Sequence, residues 1–456
     1  MELGGIRRFA SEKTLYFLSA LIILLMPVSE VIAEVLSHFH PKILPSIFHP
    51  FFFCLFGAIG TLVAVFYKYS ELTSAELRGK WFASDIFYLL MILFMVLSAV
   101  FSVNPGMYAR DYLLNSENPL DFLGYFFLFY AGTRIKSVEY RKKLIVVLFI
   151  VEAMHGIAAF FQTFNIQIAY SLLTWHSGSA YGLTPNSNYY GGLAVFMLAC
   201  ASGAFLFSEL FGAKKLLRVL FVVFAGFVFY TMMGSRARLV WPGFAVMIVF
   251  YLVSGLVMIK SDIDRAKLKR YFISLLVLCA VFAAVFAVTF LFTNYITEAV
   301  TRTQMEVDGK LDNGIGSDRL LLWRDGLESV PRHWITGIGL DNYYQVFIEK
   351  YGGADYAFFR AKAHNEFVNT LVTQGVFAFA FYMFVYARTV VTNVKKIFRS
   401  GNIISGTLNW MFLAMFVTYL AQAFFNTSVR SVAPHFWLVF GLLNTCDSPL
   451  RFPFKK

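Results

Sequence analysis

Residues 215–292 read KLLRVLFVVFAGFVFYTMMGSRARLVWPGFAVMIVFYLVSGLVMIKSDIDRAKLKRYFISLLVLCAVFAAVFAVTFLF. Three apolar runs stand out, 215–233, 237–258 and 272–293. Each is close to the roughly 20 residues a helix needs to cross the hydrocarbon of a bilayer. The first opens on Lys214, Lys215 and Arg218, and the basic stretch from Lys260 to Arg270 parts the second from the third. Short loops rich in Lys and Arg stay cytoplasmic. Both basic stretches therefore point inward, and the turn at Gly234–Arg238 points outward. That turn carries Arg236 and Arg238, against the trend.

Working outward, further runs of the same kind lie at 14–33, 50–67, 82–102, 119–133, 143–164, 188–211, 366–387, 403–425 and 432–448. The expected fold is all-α: a polytopic membrane protein of about 12 transmembrane helices. Both termini are inside, and a large outer helical loop joins spans 9 and 10. The chain divides into spans 1–9 (1–293), the outer loop (294–365) and spans 10–12 (366–456). Composition agrees, with 58% of the 456 residues hydrophobic and 14% charged, against about 25% charged in soluble domains. The net charge of +12 follows from positive-inside bias and attraction to anionic headgroups, so it does not argue for nucleic acid. Of 39 Lys and Arg, 26 fall inside, from Arg7, Arg8 and Lys13 to Arg451, Lys455 and Lys456; of the other 13, eight lie in the 294–365 loop. The first apolar run has no small-residue cleavage site and reads as a retained span. Cys54, Cys200, Cys279 and Cys446 have no metal or disulfide spacing and read as small core hydrophobes. A cysteine placed at Gly314 or Gly353 should be labelled by an impermeant thiol reagent from outside; labelling only from the cytoplasmic side would overturn this topology.

The 294–365 loop is long enough to fold by itself. Ser317 and Asp318 suit the start of a helix, and Pro331 follows its end. Leu320, Trp323 and Leu327 would share one face. Asp341 is expected to cap a second helix over 342–351, stopped by Gly352-Gly353. The loop should thus form short amphipathic helices at the outer membrane surface.

Three stretches carry a family likeness: Gly234-Ser235-Arg236-Ala237-Arg238; Ser317-Asp318-Arg319 through Trp323 to Pro331 and Gly337-Ile338-Gly339; and Ala363-His364-Asn365-Glu366-Phe367 followed by Thr373-Gln374-Gly375. In order, spacing and membrane context they resemble the O-antigen ligase superfamily, which includes O-antigen ligases and the related O-antigen and exopolysaccharide polymerases. Thr184-Pro185-Asn186-Ser187-Asn188 is similar to that family's Pro-Asn stretch. The match is strongest over about 230–380, and the first five spans agree only in hydropathy and number. Arg238 departs from the pattern as an extra arginine, and leaves open whether Arg236 or Arg238 is the phosphate ligand.

The resemblance implies a membrane glycosyltransferase on the outer face of the bacterial inner membrane. Its donor would be a glycan on undecaprenyl pyrophosphate. Its acceptor would be a sugar hydroxyl of lipid A–core or of another lipid-linked repeat. Transfer would invert the anomeric centre and need no metal and no cofactor. His364 is the candidate catalytic base: a neutral imidazole suits that task near pH 7, and the positive end of a helix disfavours its protonation, though Glu366 pulls the other way. Arg236, at the outer start of a span, and Arg319, in the loop, are candidate pyrophosphate ligands, with Arg238 as the alternative. A guanidinium offers a planar bidentate fork of permanent charge. Arg324 and Arg332 read as solvated or paired with Asp325 and Glu328. Asn186, Asn188, Asn365, Trp323 and Tyr343 are candidate sugar contacts, with Tyr189, Tyr190 and Tyr344 beside them; an ordinary interfacial aromatic belt explains the rings equally. His155, mid-span, reads as an interhelical hydrogen-bonding residue. Two rivals remain. A SEDS-type peptidoglycan polymerase would use an outer-loop Asp, for which Asp312, Asp318 and Asp341 are available. A flippase or transporter would show inverted repeats and mid-membrane charges.

Overall fold

A computed structural model describes residues 11–39, 44–74, 79–105, 117–164, 166, 179–210, 212–259, 264–295, 297, 300–301, 304–305, 308, 319–352, 362–399 and 403–445. Its main helices in chain order are α1 (Glu12–Phe39), α2 (Leu44–Thr73), α3 (Ala83–Val100), α4 (Pro119–Arg134), α5 (Val138–Thr163), α6 (Ser187–Leu206), α7 (Lys215–Gly234), α8 (Val240–Ile259), α9 (Arg265–Phe292), α10 (Arg319–Ser329), α11 (Gln345–Tyr351), α12 (Glu366–Arg399), α13 (Ile403–Ala423) and α14 (Ala433–Leu443). No strand occurs among the described residues.

A helix falls at each of the twelve apolar runs, with α10 and α11 between the ninth and tenth. Among the described residues, however, eight helices are long and apolar enough to cross a membrane: α1, α3, α5 to α9 and α12. By that measure eight of the twelve expected spans qualify. The shortfall has a physical reason in α4 and α14. They have 16 and 11 residues, or about 24 Å and 17 Å at 1.5 Å per residue, short of the roughly 30 Å hydrocarbon core. Both are wrapped in protein. Tyr125 through Arg134 and every residue of α14 are buried. Gly132 lets the two helices meet, because a Cβ there would stand 2.8 Å from the Leu438 carbonyl oxygen. A helix surrounded by protein need not match the bilayer in length.

α6 is the hub of the second half, buried at every residue but Asn188 and packed on α7, α8 and α13. α9 is its opposite. Leu276 and Leu291 are about 70% exposed, as suits a lipid-facing outer helix. Cys279 on α9 is exposed while Cys200 on α6 is buried, so the reading of all four cysteines as core residues fails at Cys279. Cys446 and the side chain of Cys54 lie outside the described residues.

The loop helices differ from expectation in two respects. α10 buries Leu322, Asp325, Gly326 and Ser329, while Leu320 and Leu327 are exposed. Small Gly326 lets the Tyr343 ring pack against α10, where its hydroxyl donates to the Leu322 carbonyl at 2.6 Å. Close approach outweighs the larger leucines. α11 begins at Gln345, and Asp341 does not cap it. It ends at Gly352 as expected, in the left-handed conformation. Ser317, Asp318 and Gly353 lie outside the described residues.

Candidate active site

The site is built on a break in α12. At Gly375 the backbone leaves helical geometry, with φ 84° and ψ 176°. The carbonyls freed by the break need partners, since unpaired backbone is costly inside a membrane. The loop between α9 and α12 supplies them. Ile338 N–H donates to Val372 O and Gly339 N–H to Thr373 O, both at 3.0 Å. Ser98 on α3 also donates to Thr373 O, at 2.8 Å. In return, Val376 N–H donates to Trp334 O at 2.8 Å. A side chain at Gly337 would collide with the Thr373 backbone, and one at Gly375 with the Ile335 carbonyl. The Gly337-Ile338-Gly339 and Thr373-Gln374-Gly375 motifs are thus two halves of one joint.

His364 sits just ahead of α12. Asn365 is the cap of this helix, its Oδ1 accepting from Phe367 N and Val368 N at 3.0 and 3.1 Å. Trp323 Nε1 donates to Ala363 O at 2.9 Å. His364 itself has φ 49°, in the left-handed region that non-glycine residues seldom enter. Its Nδ1 is buried with no hydrogen-bond partner among the described residues. Burial first, then the nearby charges of Arg319 and Lys362, push its pKa down to about 4. The ring is therefore neutral at physiological pH.

Behind His364 lies a buried charged cluster that the sequence analysis did not single out. Lys362 Nζ reaches Glu117 Oε2 at 2.8 Å and Asp341 Oδ1 at 3.5 Å, and donates to Ser428 O at 2.9 Å. Glu117 Oε1 accepts from Tyr125 and Ser428 hydroxyls at 2.6 and 3.0 Å. Glu366 Oε2 accepts from Ser428 N–H. Asp341 Oδ2 accepts from Glu117 N–H at 2.8 Å. Burial pushes Asp341 up to about 7, against the lowering effect of Lys362. Burial opposes the Lys362 charge, but Glu117 and Asp341 outweigh it and hold its pKa above the usual lysine value. Asn118 and Asp121 form a capping box that starts α4 beside Glu117, and Asp121 Oδ2 pairs with Arg430 Nε at 2.8 Å. The one overlooked signal was Glu117-Asn118-Pro119, a helix-start pattern with a carboxylate ahead of it.

Arg236 lies at a helix end, not a helix start. α7 runs to Gly234, Arg236 has φ 55°, and its N–H donates to Met233 O at 2.9 Å. α8 begins only at Val240. The expected position of Arg236 at the start of a span therefore fails. Arg236 and Arg238 both lie in the turn between α7 and α8. The α7 C-terminus favours a cation there, and the Arg236 guanidinium lies over the Tyr295 ring, 4.4 Å from its centroid. Tyr295 in turn donates to Thr163 O at 2.9 Å. Arg319 is the first residue of α10, close enough to His364 to act on its charge. The two regions meet around the start of α6. Gly191 packs on Ser235 and Ala237, and Asn426 donates to Asn188 O at 3.3 Å, two residues from Ser428.

The candidate sugar contacts divide. Tyr343 is fully buried, with its hydroxyl engaged as above. Asn186 caps α6, accepting from Asn188 N at 2.8 Å. Trp323 is half-buried, against Phe424 and Phe425. Of the further rings, Tyr190 is buried on Thr231 at 2.8 Å, and Tyr344 accepts from Asn104 Nδ2 at 3.0 Å. Arg324 pairs with Asp325 at 3.0 Å and Glu328 at 3.8 Å. His155 Nδ1 accepts from Leu183 N–H at 3.2 Å, in the loop before α6, so the expected interhelical bond is replaced by one to loop backbone, and its Nε2 is buried with no hydrogen-bond partner among the described residues.

Residues 220–383 match the family model described as O-antigen ligase. This stretch is similar to the O-antigen ligase domain. The match supports the resemblance to the O-antigen ligase and polymerase superfamily that the motifs carry. A search of curated proteins found no match. Arg236, Arg238, Arg319, Trp323, Tyr343, His364 and Asn365 all fall inside the matched stretch. Asn186, Asn188 and Glu117 fall outside it, contributed by earlier parts of the chain. Of the aspartates a SEDS-type alternative would use, Asp341 faces Lys362 at 3.5 Å and accepts from the Glu117 N–H; Asp312 and Asp318 lie outside the described residues.

Proposed function

We propose that the protein transfers a glycan from undecaprenyl pyrophosphate to a sugar hydroxyl, on the outer face of the bacterial inner membrane. The acceptor is lipid A–core or another lipid-linked repeat. One observation carries the reading. Three non-glycine residues among those described have positive φ, namely Arg236, Asp341 and His364. Two are the residues named in advance as phosphate ligand and base. Conformations of this kind cost about 1–3 kcal/mol each and cluster at functional sites.

In this mechanism the acceptor hydroxyl gives its proton to His364 as its oxygen bonds to the anomeric carbon. The carbon–oxygen bond to phosphate breaks on the opposite face, and the electron pair leaves with the lipid pyrophosphate. Arg319 and Arg236 hold that leaving group, and Arg238 supports the same region. Fixed guanidinium charge aimed where negative charge develops is an efficient form of catalysis. Among the described residues, no three His, Cys, Asp or Glu side chains group as metal ligands. Glu117 and Asp341, the carboxylates closest to such a role, are engaged by Lys362. Transfer should therefore survive EDTA. Loss of activity in EDTA with rescue by magnesium or manganese would refute the arginine mechanism. The test of the function is transfer by purified protein from a defined lipid-pyrophosphate glycan, with both acceptor types offered. Product on either acceptor supports the reading and names the branch, ligase or polymerase; product on neither refutes it.

A further inference from the structure

We propose that the buried Glu117–Lys362 pair is a positioning device for His364, pinning the chain two residues before the imidazole and keeping the positive charge beside it balanced. The inference rests on His364 being the base of the transfer reaction. Both side chains are about 95% buried. A buried ion pair is a poor source of stability compared with apolar packing, and it persists only with its hydrogen bonds complete. Here they are complete: Glu117 accepts from Lys362, Tyr125 and Ser428, and Lys362 also donates to Ser428 O. The pair spans three parts of the chain, since Glu117 precedes α4, Lys362 precedes α12, and Ser428 lies between α13 and α14.

What this junction holds is a strained residue. A left-handed conformation at a histidine lasts only if its surroundings fix the chain on both sides. Lys362 fixes one side and the Asn365 cap the other, with Trp323 gripping Ala363 O between them. Apolar residues could pin the chain equally well, so the choice of charges calls for a reason. Lys362 and Arg319 are the charged groups acting on His364. Facing Lys362 are Glu117, Asp341, Tyr189 and Glu366, and Arg430 acts on Glu117 and Asp341 in turn. An unbalanced Lys362 would depress the basicity of His364 beyond what burial and Arg319 already do. Glu117 limits that effect while keeping the anchor.

The test reads His364 directly. Purified full-length protein is treated with diethylpyrocarbonate across a pH series, and carbethoxylation of His364 is followed by mass spectrometry. Lys362→Met should raise the midpoint of modification by about one pH unit, the effect of a unit charge roughly 10 Å away at an effective dielectric of about 20. Lys362→Arg, which keeps the charge, should leave it near wild type. Glu117→Gln should lower it by a smaller step. If Glu117→Gln does not fold, Lys362→Gln replaces it and should raise the midpoint as Met does. In transfer assays Lys362→Met should lower kcat more than it changes KM, and Lys362→Arg should restore most of the loss. A midpoint unmoved in Lys362→Met, or moved upward in Glu117→Gln, would overturn the proposal. Because modification does not depend on turnover, a wild type that transfers nothing would refute the proposed function and still leave the pair's effect on His364 measurable.

Discussion

Replacing His364 with alanine should lower transfer by about 10²–10⁴-fold, the usual contribution of a positioned general base, and leave donor binding intact. The substitution removes proton transfer and no phosphate charge. His333→Ala is the control. His333 faces Glu349 at 3.4 Å, and its loss should be tolerated. The pH profile gives the same assignment a sign. His364 must be neutral to accept a proton, and its pKa in the free protein is about 4. The acid limb of kcat/KM, which reports free enzyme, should thus fall as pH drops through about 4. A bound pyrophosphate offsets the charge of Arg319, so the limb in kcat should lie at higher pH. Near-normal turnover by His364→Ala would remove the histidine from the chemistry.

The second large effect is expected at the arginines. Arg319→Ala and Arg236→Ala should each lower kcat/KM by about 10²–10³-fold, as losing a group that stabilises transition-state charge does. Lysine should substitute poorly, because it keeps the charge and loses the planar fork. The two sites also differ in a measurable way. Arg319 helps to depress the pKa of His364, so Arg319→Ala should shift the acid limb upward. Arg236, seated on Tyr295, should leave the limb nearly in place when replaced. Arg238→Ala should cost less than either. Donor affinity unchanged in the Arg236→Ala, Arg319→Ala double variant would defeat the pyrophosphate assignment.

The helical membrane class was legible because apolar runs and basic loops obey strong one-dimensional rules, and a helix stands at each predicted run. Which apolar runs are wrapped in protein was not legible. Hydropathy cannot tell α14, which is buried in protein, from a helix facing lipid. His364 and Arg319 were legible as motif positions, and the structure brings them within electrostatic reach. The setting of Arg236 was misread, because α7 ends and α8 begins within a few residues and the sequence does not mark which helix owns the turn. Stripe counting favoured Leu320 and Leu327 on α10, yet the helix packs through Gly326 because Tyr343 arrives from 17 residues downstream. Glu117 went unseen for a related reason. Its partner Lys362 lies 245 residues away, and nothing local announces the pair.

Proteoliposomes containing the purified protein, a lipid-pyrophosphate glycan labelled in its sugar, and both acceptors would separate catalysis from transport. The expected result is labelled glycan on acceptor, with one undecaprenyl pyrophosphate released per transfer, and loss of both in His364→Ala. Movement of intact donor between leaflets, with its sugar–phosphate bond unbroken, would contradict the glycosyltransferase reading.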